Sequence, residues 1–131
     1  MPVLQIETQF DQGFQGRLVT SRAQVAIGSG ADALAPYDML LGALASCFYA
    51  TFLDIVEKKR LTLQSASVRV SGEKRAEVPT TLSWVKVELT VHGASDSAGM
   101  ESAAELAGKY CSIYHTLSQV ADMSTVVEFA D

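Results

Sequence analysis

The sequence predicts an α+β fold, and three observations lead to that prediction. Residues 3–10 and 17–27 alternate between apolar and polar side chains, as β strands do. Residues 36–60 are apolar on almost every side, which is typical of a helix covered by neighbours all round. Two more strands, two helices and a last strand follow. Because strands and helices are grouped instead of strictly alternating, the pattern argues against a doubly wound parallel sheet.

The N-terminal segments form a predicted β layer of two or three strands, joined around Gly13 and Gly16. A glycine-rich loop at residues 28–32 follows it. We therefore expect the chain to change from strand to helix at Pro36, a residue that the first turn of a helix tolerates.

The central helix is predicted to be a core helix. Asp38 lies in its first turn and cations lie near its end, as the helix dipole favours. Cys47 lies in the middle and shares a face with apolar residues such as Leu40 and Leu44. The apolar run of residues 39–53 is shorter than the roughly 20 residues of a membrane span. It does not lie at the N-terminus, as a signal peptide does. These features predict a soluble domain.

The second half of the chain begins with a predicted hairpin of residues 61–75 and Leu82–His92, linked through a segment that contains Pro79. The apolar face of its second strand consists of Val85, Val87, Leu89 and Val91. The opposite face carries the polar side chains Lys86, Glu88, Thr90 and His92 together with Trp84. We expect that face to be in contact with water.

The last elements are two helical segments and a strand. Residues 97–107 predict a helix with Asp96 or Ser97 as its N-cap and Glu101 in its first turn. A second helix, or a kinked continuation, is expected to about Ala121. The β-rich residues 125–129 are expected to form an edge or closing strand.

Composition limits the classes of function. The 131 residues predict one domain, 1–131, and 48% apolar with 19% charged residues exclude disorder and favour a homo-oligomer. The net charge of −5, without a cluster of Lys and Arg, argues against nucleic acid and anionic membranes as partners. The absence of a visible targeting segment predicts a cytoplasmic protein. In that compartment, two cysteines more often mean reactive or buried thiols than a structural disulfide.

The two cysteines allow more than one interpretation. Cys47 on an apolar helix could be only a small buried hydrophobic residue. Cys111 has Lys109 close by and His115 four residues on, on the same predicted helical face, and a cation lowers a thiol pKa. His115 could equally be an ordinary surface or core residue. The cysteines and two histidines do not form a metal-ligand motif, so neither a metal nor another cofactor is expected.

Two stretches carry a family resemblance. Residues 35–47, APYDMLLGALASC, and residues 107–117, AGKYCSIYHTL, resemble the two cysteine signatures of the OsmC/Ohr family, the osmotically inducible and organic hydroperoxide resistance proteins. The element order is similar over essentially the whole chain. The resemblance implies an intertwined α+β homodimer, with strands wrapped around long central helices and a cysteine pair near the subunit boundary.

The resemblance also implies a reaction that protects against oxidative stress. Cys47 matches the peroxidatic position and would attack an organic hydroperoxide as a thiolate, becoming a sulfenic acid. Cys111 matches the resolving position and would condense with it to a disulfide, which a dithiol reductant would open. Apolar walls would suit organic hydroperoxides better than hydrogen peroxide.

Some positions depart from the family pattern. Tyr37 stands where hydroperoxide resistance members carry a glutamate, and Phe14 stands at the position of their arginine. Ser112 replaces the proline that commonly follows the second cysteine. The predicted source of a cation for Cys47 is Arg17, Arg22 or Lys109. The side chains expected to bind a substrate or ligand are Tyr37, Asp38, Leu40, Leu44, Tyr110 and His115.

Two hypotheses follow. The first is a thiol-dependent hydroperoxide reductase with Cys47, Cys111, Arg17 and Arg22 as catalytic residues, and both cysteine signatures favour it. The second is a non-catalytic protein that binds a small apolar, lipid-like or thiol ligand in a dimer-interface cleft, and Tyr37 favours it. The distance between the cysteines distinguishes them, because a disulfide needs Cα atoms within about 7 Å.

Overall fold

Three antiparallel strands form the first of two compact units, Met1–Leu40, in the computed structural model, which describes all 131 residues. They are β1 (Glu7–Phe10), β2 (Gln15–Val19) and β3 (Gln24–Gly28), in the order β1-β2-β3. Gly13 lies in the β1–β2 turn with φ +72°, as predicted. Gly16 instead lies inside β2, where a Cβ would overlap the Gln9 carbonyl oxygen of β1, so a side chain is excluded.

The central helix, α1 (Pro36–Lys58), is confirmed and ends two residues before the predicted boundary. Its start is fixed by Asp38, whose Oδ2 accepts the Ala35 N–H at 2.8 Å. Every fourth residue from Leu44 to Val56 is buried, which makes α1 a core helix as predicted. The expectation that neighbours cover it all round is not met within this chain, since Leu53 is 38% exposed.

The length of α1 exceeds that of its apolar run. Its 23 residues are long and apolar enough to cross a membrane by length and composition, whereas the apolar run of residues 39–53 within it is shorter than a membrane span. The buried row of the helix shows that it packs as part of a folded domain.

The second unit, Leu41–Asp131, contains a three-stranded sheet in the order β4-β5-β6. The strands are β4 (Ser65–Lys74), β5 (Leu82–His92) and β6 (Asp122–Ala130). β4 and β5 are antiparallel, so the predicted hairpin is confirmed, and β6 lies parallel to β5 at the edge. The four apolar residues predicted for one face of β5 are fully buried, and on the other face Lys86 and Glu88 form an ion pair of 3.7 Å.

Two helices connect β5 to the parallel strand β6: α2 (Ser97–Tyr110) and α3 (Ser112–Ser118). Asp96 is the N-cap of α2 and accepts the Gly99 N–H at 3.3 Å, as predicted. Glu101 falls beyond the first turn, contrary to the prediction, because the helix begins at Ser97. The alternative of a second helix is correct, and both helices pack on β6. The resulting class is α+β; a single domain over residues 1–131 stays a prediction.

The buried face of β5 yields a prediction of stability. Val87→Ala should lower the free energy of unfolding by about 2 kcal/mol, because Val87 is fully buried and the lost methyl groups leave a cavity. The matched control is Val126→Ala on β6, where the side chain is 37% exposed. This variant should lower the free energy of unfolding clearly less. Urea unfolding followed by circular dichroism measures both. Equal losses would contradict the assigned core.

Candidate functional site

Cys47 lies in the middle of α1, and its side chain is partly buried. The next residue, Phe48, is fully buried and fixes this turn of the helix in the core. One turn later the Thr51 hydroxyl donates to the Cys47 carbonyl oxygen at 2.9 Å. The position therefore combines a rigid backbone with a sulfur that remains partly accessible to solvent.

Cys111 joins α2 to α3 and is fully buried. Its N–H donates to the Ala107 carbonyl oxygen at 2.8 Å, which terminates α2. Its Sγ accepts the Tyr114 N–H at 3.4 Å, and its carbonyl oxygen accepts the His115 N–H at 3.0 Å, which begins α3. Cys111 is thus the C-cap of one helix and the N-cap of the next.

The structure brings the two sulfurs together. Both cysteines are free thiols, and each shifts the pKa of the other, which places the two thiols close together. The two cysteine signatures, far apart in the sequence, therefore form one site.

Two opposing effects set the pKa of Cys47. Partial burial is the largest single effect and raises the pKa, because it disfavours the thiolate. Hydrogen bonds from the Ile113 N–H, from the Cys111 thiol, and from the hydroxyl and N–H groups of Ser112 lower it. Together these hydrogen bonds prevail, and the pKa of Cys47 lies below that of an ordinary cysteine.

The pKa of Cys111 is shifted in the opposite direction. Burial raises it most, and the neighbouring Cys47 raises it further through their hydrogen bond and through its negative charge. Hydrogen bonds from the N–H groups of Tyr114 and Ile113 offset only part of this increase in the pKa. Cys47 therefore ionises first, and Cys111 remains a thiol that donates to it.

The donors of residues 112 and 113 were missed by sequence reasoning, which looked for a cation. One signal was available in the sequence, since a new helix starting after Cys111 leaves its first N–H groups without helical acceptors. A role for the His115 ring at the site stays a prediction. Cys111 caps α3 from outside the helix, and it is the backbone N–H of His115 that contacts Cys111. The ring is exposed and lies 3.4 Å from the Gln119 amide nitrogen.

The predicted arginines lie in the first unit. Arg17 is on β2 and donates to the Gln9 side-chain oxygen at 2.6 Å, beside a shallow cavity of about 330 Å³. Arg22 is exposed in the β2–β3 turn, where its N–H donates to the Thr20 hydroxyl at 3.1 Å. Lys109 is exposed near the end of α2. A catalytic role for either arginine stays a prediction.

The predicted binding residues have different surroundings. Asp38 caps α1, Tyr37 and Leu40 are partly buried, and Leu44 is fully buried. Tyr110 is 71% exposed and lines a cleft of about 470 Å³, here called the α1–α2 cleft. The other residues that line it are Thr51, Asp54, Ile55, Lys58, Lys59 and Leu106. A group of three or more side chains able to hold a metal ion is not found in the structure.

The structure defines an α+β protein in which two free thiols lie close together. The family model described as OsmC-like protein matches residues 28–125, and the chain belongs to this family. The resemblance predicted from the two cysteine signatures is thereby confirmed.

Solved structures share this fold, and a curated protein is similar in sequence. The OsmC-like protein from Mycoplasma pneumoniae superposes with a TM-score of 0.89 at 16% identity, over 99% of both chains. A hypothetical protein from Aquifex aeolicus superposes with a TM-score of 0.85 at 22% identity, over 100% of both chains. An organic hydroperoxide resistance protein from Legionella pneumophila superposes with a TM-score of 0.71 at 14% identity, over 98% of this chain and 99% of that chain. Protein YhfA of Escherichia coli K12 is 28% identical over 98 residues, 73% of each chain.

The hydrogen bond between the thiols predicts a difference between two variants. Cys111→Ala should raise the pKa of Cys47, because it removes a donor to the thiolate, and should slow alkylation of Cys47 at pH 7 about three- to tenfold. Cys111→Ser keeps a donor and should remain closer to the wild type. The measurement is the rate of iodoacetamide labelling of the Cys47 peptide against pH. If the pH profile of Cys111→Ala is identical to that of the wild type, the Cys111 thiol does not activate Cys47.

Proposed function

We propose that this protein is a thiol-dependent peroxidase that reduces organic hydroperoxides through Cys47 and Cys111 and so protects against oxidative stress. The observation that carries the proposal is the contact between the two thiols and the opposite shifts of their pKa values. A peroxidatic cysteine must be a thiolate at neutral pH, whereas a resolving cysteine must wait for its partner to be oxidised.

In the first step the Cys47 thiolate attacks the distal oxygen of the hydroperoxide. An S–O bond forms and the O–O bond breaks; the sulfur is oxidised by two electrons and the hydroperoxide is reduced. The alkoxide leaves and takes up a proton, which gives an alcohol. Cys47 then carries a neutral sulfenic acid. The donors around the sulfur favour this step because they keep Cys47 ionised.

In the second step Cys111 resolves the sulfenic acid. The negative charge on Cys47 raises the pKa of Cys111 before the reaction, and oxidation to the neutral sulfenic acid removes that charge. Cys111 can then lose its proton and attack the sulfur of Cys47, so that a disulfide forms and water leaves. A dithiol reductant supplies two electrons and restores both thiols.

Named relatives support the proposal at the level of the fold. Organic hydroperoxide resistance proteins from Legionella pneumophila and Elizabethkingia anophelis share the architecture, with TM-scores of 0.71 and 0.76. At sequence identities of 14% and 11%, the likeness concerns the fold alone. The proposed chemistry therefore rests on the cysteine pair of this chain.

We include a homodimer and a cytoplasmic location in the proposal. Within Met1–Leu40 only Ile27 and Gly28 are buried, and many large apolar side chains are exposed. They are Met1, Val3, Leu4, Ile6, Phe10, Phe14, Val25 and Leu34. Exposed apolar surface on this scale is typical of a surface that a second subunit covers. A second subunit would also cover the exposed side of α1.

The second candidate function is ligand binding, and the α1–α2 cleft favours it. The cleft combines the apolar side chains of Ile55 and Leu106 with the ring of Tyr110, in a volume of about 470 Å³ that suits a small molecule. In this alternative the cysteines contribute packing and no redox chemistry. Thiols that react with a hydroperoxide no faster than free cysteine would favour it.

Oxidation by one equivalent of cumene hydroperoxide tests the peroxidase directly. The wild type should lose two free thiols and about two mass units, because both sulfurs end in one disulfide. Cys111→Ser should stop at the sulfenic acid or higher oxides, and Cys47→Ser should not react. Thiol titration and intact mass measure all three. Unchanged wild-type thiols would refute the peroxidase proposal.

The arginines supply a separate prediction. If either guanidinium reaches Cys47 from the same or the partner subunit, Arg17→Ala or Arg22→Ala should raise the pKa of Cys47, because a nearby cation stabilises the thiolate. The control is Arg69→Ala on β4, which is also exposed and should have no effect. The pH profile of alkylation measures the change, and sedimentation velocity of the wild type checks the dimer. An unchanged pKa in both variants would remove the arginines from the proposal.

A further inference from the structure

We propose that the α1–α2 cleft binds a small carboxylate that has an apolar body. The carboxylate group pairs with Lys58 and Lys59, and the apolar body covers the ring of Tyr110. The inference rests on the second candidate function, ligand binding, and names the chemical class of the ligand. It is independent of the peroxidase, because neither cysteine lines the cleft.

Each of the two helices supplies one face to the cleft. On α1, Thr51, Ile55 and Lys58 follow one another at intervals of four and three residues, so they lie on the same side of the helix. On α2, Leu106 and Tyr110 are four residues apart and share a side in the same way. The cleft is therefore a groove with one helical wall on each side.

A hydrogen bond between the walls fixes one end of the groove. The Lys59 Nζ donates to the Ser102 Oγ of α2 at 2.9 Å. Ser102 comes four residues before Leu106 and so continues the side of α2 that lines the cleft. Lys59 directly follows α1, and Lys58 is its last residue. Both ammonium groups therefore belong to the end of the groove where α1 terminates.

The charges of the lining favour an anion. Two lysines and one aspartate, Asp54, give the lining a net charge of +1, although the chain as a whole has a net charge of −5. Neither lysine forms an ion pair, even though Asp54 is four residues before Lys58. Lys59 donates only to an uncharged hydroxyl group. Both cations can therefore pair with a carboxylate from outside the chain.

The rest of the groove is apolar and sets the size of the ligand. Ile55 and Leu106 line it from opposite helices, and a ligand that covers the 71% exposed side chain of Tyr110 removes apolar surface from water. From Thr51 to Lys58 the α1 wall is seven residues long, about 10 Å. A carboxylate with about eight carbons fits this length and the volume of about 470 Å³.

Titration of the full-length protein with sodium octanoate, followed by NMR of the isoleucine methyl groups, tests the inference. The Ile55 δ1 methyl signal should move as octanoate is added, because Ile55 lines the cleft. The signal of Ile27, which is buried in the first unit, should stay in place. Octylamine has the same chain length and the opposite charge, and it should bind about fivefold or more weakly.

Variants separate the charged and apolar contributions. Lys58→Met and Lys59→Met should each weaken octanoate binding about two- to fivefold and leave the binding of uncharged octanol unchanged. The matched control is Lys86→Met, which removes another exposed ammonium group outside the cleft and should have no effect. Leu106→Ala should weaken octanoate and octanol alike. Circular dichroism confirms that each variant is folded.

Three results would overturn the inference. Octylamine that binds as tightly as octanoate, or octanoate binding that both lysine variants leave unchanged, would refute the carboxylate class while ligand binding in the cleft remains. An Ile55 signal that none of the three compounds moves would refute the second candidate function as well. Oxidation by cumene hydroperoxide decides the peroxidase separately, because that reaction is followed at the cysteines.

Discussion

The site depends on the environment of the Cys111 sulfur. The sulfur accepts the Tyr114 N–H, which starts α3, and its proximity to Cys47 helps to lower the pKa of that thiol. One buried atom thus contributes both to the start of a helix and to the difference between the pKa values of the two cysteines. A methyl group in its place could neither accept nor donate. Structure and reactivity are therefore coupled at this position in a way that simple packing of a small residue would not produce.

The sheet gives this junction a rigid base. β5 lies between β4 and β6 with one face fully buried, and both α2 and α3 pack on β6. Helix α2 buries a row of small residues that ends at Ala107, whose carbonyl oxygen accepts the Cys111 N–H. The position of Cys111 is thus set by the core of the second unit. The partly accessible sulfur of Cys47 is held by the buried row of α1.

Much of the fold could be predicted because it depends on local patterns. Alternation along β5 and the apolar segment around Cys47 each specify an element without knowledge of its neighbours. The two cysteine signatures also allowed the family to be recognised. The groups that lower the pKa of Cys47 could not be predicted in the same way, because they are backbone N–H groups, which every residue has. Only the tertiary structure brings Ser112 and Ile113 near Cys47, where their N–H groups lower its pKa.

The parallel pairing of β5 with β6 also has a consequence for the order of folding. The helices that hold Cys111 belong to the crossover between these two strands, and Tyr114 is fastened to Thr125 of β6. A chain emerging from the ribosome exposes Cys47 long before β6 has been made. Until that strand pairs, the donors around Cys47 lack their anchor and the cysteine is an ordinary thiol. The lowered pKa of Cys47 is thus acquired only with the completed fold.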